Sequence, residues 1–184
     1  MPGTLLVVDV QQEFINDYTR HIPERIARLI EQSAFDAVLM TRFVNEADGP
    51  YHRFLDWHEC VGPPETDIVP ELARWASPRS TYTKPGFTGL SGDLTRDLRD
   101  AGLDEVAIVG IDTDMCVLKI AMDVFDLGIK PVVLVDCCAS TAGLQAHLAG
   151  LAVLARNIGA EQLHDAGLSG GLLGAPPDKG TEDE

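Results

Sequence analysis

A three-layer α/β/α sandwich around a six-stranded, mostly parallel sheet is the fold this sequence predicts, and three observations predict it. Short apolar runs alternate with stretches of helical periodicity along the chain, the signature of βαβ units. The runs Thr4-Leu-Leu-Val-Val-Asp9 and Glu105-Val-Ala-Ile-Val-Gly110 are nearly continuous in apolar residues, as parallel strands covered on both faces are. A length of 184 residues, 45% of them hydrophobic and 23% charged, suits one domain with a sizeable core.

Each element follows from local pattern. The first strand, 4–9, leads into a helix over 23–32, with Pro23 in its first turn and Ile22, Ile26, Leu29 and Ile30 on one face. Residues 35–42 read as the second strand. A long connection over 43–68, with Gly49-Pro50 and Gly62-Pro63-Pro64, has the length of a lid or binding loop. A short helix over 70–76 precedes a third strand, 80–83, which delivers Lys84 to the sheet edge. Leu90, Leu94, Leu98 and Ala101 mark a helix stopped by Gly102. The strand 105–110 breaks at Gly110, and an almost wholly apolar helix covers 115–127. Its one polar stripe is Lys119, Asp123 and Asp126, so either the subunit buries the rest or a second copy does, and homo-oligomerisation is the expectation. A strand over 131–135, a helix over 141–157 carrying Leu144, Leu148, Leu151 and Ala155, and a short strand near 160–164 complete the domain, placed at 1–166. The tail 167–184, rich in Gly, Pro and acid, reads as disordered.

Composition excludes several function classes. No apolar run approaches the roughly 20 residues a membrane helix needs. The start Met-Pro-Gly-Thr lacks a basic signal region, so a cytoplasmic location is expected. A net charge of −15 opposes binding to nucleic acid or anionic lipid. Cys60, Cys116, Cys137 and Cys138 form no Cys-x-x-Cys pair and no zinc spacing, which points to reduced thiols; Cys137 and Cys138 fall on opposite faces of a strand.

Three residues carry the chemistry. Cys116 falls in the first turn of a helix, where the dipole and unpaired N–H groups lower a thiol pKa; packing as one more small hydrophobe is the competing reading. Asp9 and Lys84 each end a strand at the carboxyl edge of the sheet, where open α/β folds form their ligand crevice. Alone, Asp9 could cap a turn and Lys84 could be a solvated loop charge. Their joint placement with Cys116 favours a shared pocket, with Gln11, Phe14, Phe87 and Met115 as candidate lining. Arg42, at the end of the second strand, is a candidate contact for a substrate carboxylate, or else a surface ion pair.

These segments resemble the isochorismatase-like cysteine hydrolases, a superfamily that includes nicotinamidases and carbamoyl amidohydrolases. The matching pieces are Leu-Leu-Val-Val-Asp9-Val-Gln-Gln-Glu-Phe14, Lys84-Pro-Gly-Phe-Thr88, Gly110-Ile-Asp-Thr-Asp-Met-Cys116-Val-Leu, and the stretches 121–128 and 133–139. The resemblance implies that Asp9, Lys84 and Cys116 form a triad. It also implies a non-prolyl cis peptide at Ile111-Asp112 shaping an oxyanion hole, with the backbone N–H groups of Asp112 and Cys116 as donors. The implied reaction is cleavage of a C–N bond in a small amide-like substrate through a thioester, without a cofactor. Nicotinamidases of the superfamily carry an Asp-x-His metal motif at the end of the second strand. Here that position reads Thr41-Arg42-Phe43-Val44, so no metal is expected; Asp56-Trp57-His58 has the right letters well down the loop.

Three alternatives remain open from the sequence. A haloacid dehalogenase-type phosphotransferase uses a similar order of Asp, Thr, Lys and a later acid, but needs a second Asp where Gln11 stands. Vinyl ether hydrolysis of the isochorismate type proceeds without the cysteine. A catalytically silent binding or assembly subunit is the third.

Overall fold

The computed structural model describes residues 3–168. The expected tail therefore lies, from residue 169 on, outside the described residues. Six strands, β1 (Thr4–Val8), β2 (Ala37–Phe43), β3 (Thr81–Lys84), β4 (Glu105–Ile111), β5 (Lys130–Ala139) and β6 (Leu163–His164), form one sheet in the order β3-β2-β1-β4-β5-β6. Every pairing is parallel, so the sheet is wholly rather than mostly parallel.

Side-chain alternation divides the core into two layers. Leu5, Val7, Met40, Ala107 and Val109 face α1 (Ile22–Gln32), which contributes Ile22, Ile26 and Leu29, together with Val69 and Leu72 of the following connection. Leu6, Val8, Val106, Ile108 and Val133 face the other way, onto α3 (Gly92–Asp100), α4 (Leu118–Asp126) and α5 (Leu144–Ile158). Ile120, Ala121 and Val124 of α4 are buried within the chain, so sheet and α5 cover much of the apolar circumference that suggested a second copy. Cys137 and Cys138 enter the two layers separately.

The order of strands reverses direction between β1 and β4, which is where an open parallel sheet leaves a crevice at its carboxyl edge. Gly110 makes the approach of these strands possible. It sits opposite Val8 with φ of +128°, and a Cβ there would lie 2.1 Å from the Val8 carbonyl oxygen. The β4–β5 register also shifts between Ile108 and Gly110. The extra residues lie on β5, where Val133 pairs with Ile108 and Cys138 with Gly110.

Two differences from the expected elements have clear causes. β5 runs on to Ala139 because Asp136, which has the look of a strand end, is buried inside it. Its carboxylate meets the Arg25 guanidinium at 3.0 Å and accepts from the Ala166 N–H at 2.7 Å. The connection over 43–68 contains α2 (Pro50–Leu55), a six-residue helix with proline in its first turn, too short to show a periodicity. Among the described residues no helix is long and apolar enough to cross a membrane.

Candidate active site

The site grows from the ends of three strands. After Val8 the chain turns at Asp9, which takes a left-handed φ of +49° while its carbonyl accepts from the Gln11 N–H at 2.9 Å. Such a conformation is rare for a non-glycine residue and needs support from its neighbours. Thr41 on β2 supplies it: its hydroxyl accepts from the Asp9 N–H at 3.2 Å and donates to Asp9 Oδ1 at 2.7 Å. Thr41 is fully buried, and the sequence reading missed this role because the contact spans two strands.

Lys84 ends β3 beside Phe43 and is 1% exposed, yet it carries three partners. Its Nζ lies 2.7 Å from Asp9 Oδ2, donates to the Gly86 carbonyl at 2.7 Å, and donates to Cys116 Sγ at 3.3 Å. An ammonium has three N–H bonds, and all three are engaged. Burial pulls the Lys84 pKa down, but Asp9 and Cys116 more than offset it and leave it above the usual lysine value.

Cys116 belongs to a π-helical turn, Thr113–Val117, that precedes α4. The Met115 and Val117 N–H groups both donate to the Asp112 carbonyl, at 3.1 and 3.0 Å, and the second of these is the i to i+5 bond that widens the turn. The peptide Ile111-Asp112 is cis. The expected depression of the thiol pKa is not what the surroundings give. Burial, and then the neighbouring Asp9 carboxylate, push Cys116 well above the ordinary thiol value, against the pull of Lys84. The helix-end effect is outweighed because a thiolate beside a buried carboxylate meets like charge.

The Asp112 side chain ties this turn to the loop after β5. It accepts from the Thr141 N–H at 2.6 Å and from the Thr141 hydroxyl at 2.7 Å. His147 on α5 anchors the turn from below, its Nδ1 2.8 Å from Thr113 Oγ1. Burial raises the Asp112 carboxyl from the ordinary 3.8 to about 6, with the Thr141 hydrogen bonds opposing. A carboxyl with a raised folded pKa binds its proton more tightly in the folded state, so its contribution to stability is full below the unfolded pKa and is lost as pH rises through the folded one. Urea unfolding of wild type and Asp112→Asn should therefore diverge between pH 4 and 7, the variant gaining on the order of 3 kcal/mol relative to wild type. A gap that stays constant across that range counts against this.

A cavity of about 360 Å³ opens over Cys116. Phe14, Phe87 and Met115, three of the expected lining residues, border it, as do Glu13, Phe43, Tyr51, Trp57, Asp112 and Thr141. The fourth expected lining residue, Gln11, and the expected carboxylate contact, Arg42, do not. Gln11 is wholly buried behind the wall, donating to the Phe43 carbonyl at 2.9 Å and the Thr66 carbonyl at 3.2 Å and accepting from the Phe43 N–H. It fastens the 43–68 connection to the sheet. Arg42 alternates with Thr41 and Phe43 along β2 and so points away from the crevice, where it donates to Thr83 Oγ1 at 3.0 Å.

The aromatic wall is a packed cluster. Phe43 meets Tyr51 at 5.0 Å and Trp57 at 5.8 Å between ring centroids, and Tyr51 meets Phe87 at 5.3 Å. Phe43, Tyr51 and Trp57 all fall in the 43–68 stretch that the sequence marks as a binding loop, but a connection without periodicity does not single them out.

The Isochorismatase domain family matches residues 4–164 of this chain, which takes in every strand and each of the residues just described. The chain belongs to the isochorismatase family. It is 31% identical over 165 residues to the nicotinamidase/pyrazinamidase of Mycobacterium tuberculosis (strain ATCC 25618 / H37Rv), covering 77% of this chain and 87% of that protein. It is 33% identical over 73 residues to isochorismatase domain-containing protein 2 of Xenopus laevis, a match that spans 39% of this chain and 35% of that protein. An isochorismatase-like hydrolase from Alkaliphilus metalliredigens superposes with a TM-score of 0.76 at 20% identity, over 89% of this chain and 94% of the other. Membership removes the phosphotransferase alternative, in which Gln11 would have to be a catalytic carboxylate. In this isochorismatase-family chain the stretch Thr41 to Val44, where the sequence resemblance would put a metal motif, is otherwise engaged. Thr41 is bound to Asp9, and Phe43 is a wall residue. Farther along, His58 Nε2 lies 2.9 Å from Asp56 Oδ1 and its Nδ1 lies 3.2 Å from His52 Nδ1, so these groups are spent on one another at the surface. Among the described residues no three His, Cys, Asp or Glu side chains converge as a metal site would need.

Proposed function

We propose that the protein is a cysteine amidohydrolase that cleaves the C–N bond of a small amide through a thioester on Cys116. The single observation that carries the proposal is the Lys84 ammonium bridging Asp9 Oδ2 and Cys116 Sγ beside an open cavity. Asp9 takes the Cys116 proton as Sγ attacks the carbonyl carbon, so thiolate and carboxylate never stand charged side by side. The backbone N–H groups of Asp112 and Cys116 receive the oxyanion, at about 3 kcal/mol per donor. The tetrahedral adduct collapses, the C–N bond breaks, and Asp9 returns its proton to the leaving nitrogen. Water then attacks the thioester with Asp9 again as base, releasing the acid and restoring the thiol. Lys84 stays protonated throughout and offsets charge at both partners. Thr41 fixes the rotation of the Asp9 carboxylate.

A screen of small primary amides, carbamoyl compounds and ureides for ammonia release tests the reading, with acid quench and mass spectrometry to catch the acyl adduct on Cys116. Turnover with an adduct on that residue supports it. Ammonia release with no acylation of Cys116, or binding without any turnover across the panel, overturns it and favours the silent-subunit reading. Exhaustive chelation should leave the rate within about twofold, since the backbone donors and Asp9 supply the polarisation and proton transfer that a Lewis acid would otherwise provide.

A further inference from the structure

The charge of the cavity restricts what can enter it. None of its lining residues, among the described residues, is Lys, Arg or His. Lys84 lies behind the wall with its three N–H bonds committed, and Arg42 faces away. A substrate carboxylate would therefore find no counter-charge. The lining does hold Glu13, whose side chain has no hydrogen-bond or ion-pair partner among the described residues. The partly desolvated Glu13 carboxyl, with Glu65 and Glu59 adding like charge nearby, is held above its ordinary pKa. Glu65 and Glu59 are themselves engaged, accepting from the Cys60 and His58 N–H groups at 2.6 and 3.1 Å. The same cavity is lined by the rings of Phe14, Tyr51, Trp57 and Phe87, whose faces favour flat groups and positive charge.

We infer that the substrate is a primary amide on a flat apolar acyl group bearing a cationic substituent, and that Glu13 determines this preference by pairing with that substituent. The inference rests on the amidase reading for the role of Cys116, but its charge preference is measurable without turnover. A cation brought against Glu13 relieves the crowding of three carboxylates, whereas an anion at the same place adds a fourth.

Three benzamides of matched size test it: 3-(aminomethyl)benzamide, 3-methylbenzamide and 3-carbamoylbenzoate, titrated calorimetrically at pH 7 into the full-length Cys116→Ala protein. The ammonium compound should bind at least about tenfold more tightly than the methyl compound, and the carboxylate more weakly than either. Adding Glu13→Gln should abolish the ammonium advantage, so that the ammonium and methyl compounds bind that protein equally, and continued binding of 3-methylbenzamide separates a charge effect from a collapsed pocket. Equal or tighter binding of the carboxylate, persistence of the ammonium preference in Glu13→Gln, or no binding of any of the three at millimolar concentration overturns the inference. Wild-type turnover distinguishes the two readings. Hydrolysis of all three amides at equal rates leaves the amidase standing without the charge rule; tight ammonium binding with no acylation of Cys116 leaves the charge rule standing without the amidase.

Discussion

Cys116→Ala is expected to reduce kcat on the accepted amide by on the order of 10⁴-fold or more, because a triad works as a unit and its nucleophile has no substitute. Folding should be retained. The thiol packs against one edge of the core and also borders an open cavity, so its loss leaves no sealed void, and the thermal midpoint should move by no more than about 2 °C. Alkylation provides the matching observation on the wild type. Cys60, Cys137 and Cys138 are 0%, 0% and 1% exposed, and burial holds the Cys60 and Cys137 thiols up to about 12. Iodoacetamide at neutral pH should therefore modify Cys116 at least about tenfold faster than the others, despite its own raised pKa, since reagent reaches it and Asp9 can take the proton as the bond forms. Peptide mapping after partial alkylation reads the order directly. Equal modification of all four, or a Cys116→Ala protein that still turns over, would remove the nucleophile from the scheme.

The contrast between what the sequence makes legible and what it does not is itself physical. β1, β4 and the turn holding Cys116 are readable because apolar runs there break off abruptly at Asp9 and Gly110, and because a polar cluster with a cysteine opens the next helix. Such signals are local. Thr41 reaches Asp9 across 32 residues of sequence, and Gln11 reaches Phe43 and Thr66 across 32 and 55. Nothing in the composition of those segments announces either contact. The pocket wall is hidden for the same reason: Tyr51 and Trp57 lie in and just after a six-residue helix and owe their positions to Phe43 on the sheet. The extent of β5 shows the same limit: the expected strand stops at Val135, whereas the ion pair of buried Asp136 with Arg25 lets it continue to Ala139. The thiol pKa runs opposite to expectation because the helix-end effect is visible from sequence, while the desolvation and the facing Asp9 carboxylate exist only once the strands have converged.

Lys84→Met should be the most destabilising single substitution at the site, and pairing it with Asp9→Asn should restore most of the loss. Lys84 and Asp9 are 1% and 0% exposed, and their 2.7 Å contact joins two strands that are separated by β2 in the sheet. Removing the ammonium alone leaves a carboxylate buried beside Cys116 without a counter-charge, a change that typically costs about 3–5 kcal/mol. Methionine keeps the length and apolar volume of the lysine stem, so the penalty reports the lost charge rather than a cavity. With Asp9→Asn in addition, no ionised group remains uncompensated, and the amide oxygen can still accept from Thr41. The double variant should regain at least about 2 kcal/mol over Lys84→Met in urea unfolding at pH 7, a coupling of the size contacting residues show. The sign of the alkaline dependence follows from the same pair. Because the folded pKa of Lys84 lies above the ordinary 10.5, its contribution is complete below that value and is lost only as pH rises through the folded pKa, so wild type should lose its advantage over the double variant in strongly alkaline solution. Turnover should be absent from both variants, since neither retains a base and an ammonium together. A double variant no more stable than Lys84→Met would show that the pair is not the electrostatic unit described, and that the cost lies instead in the packing of the lysine stem against Phe43, whose ring centroid is 5.3 Å from Nζ.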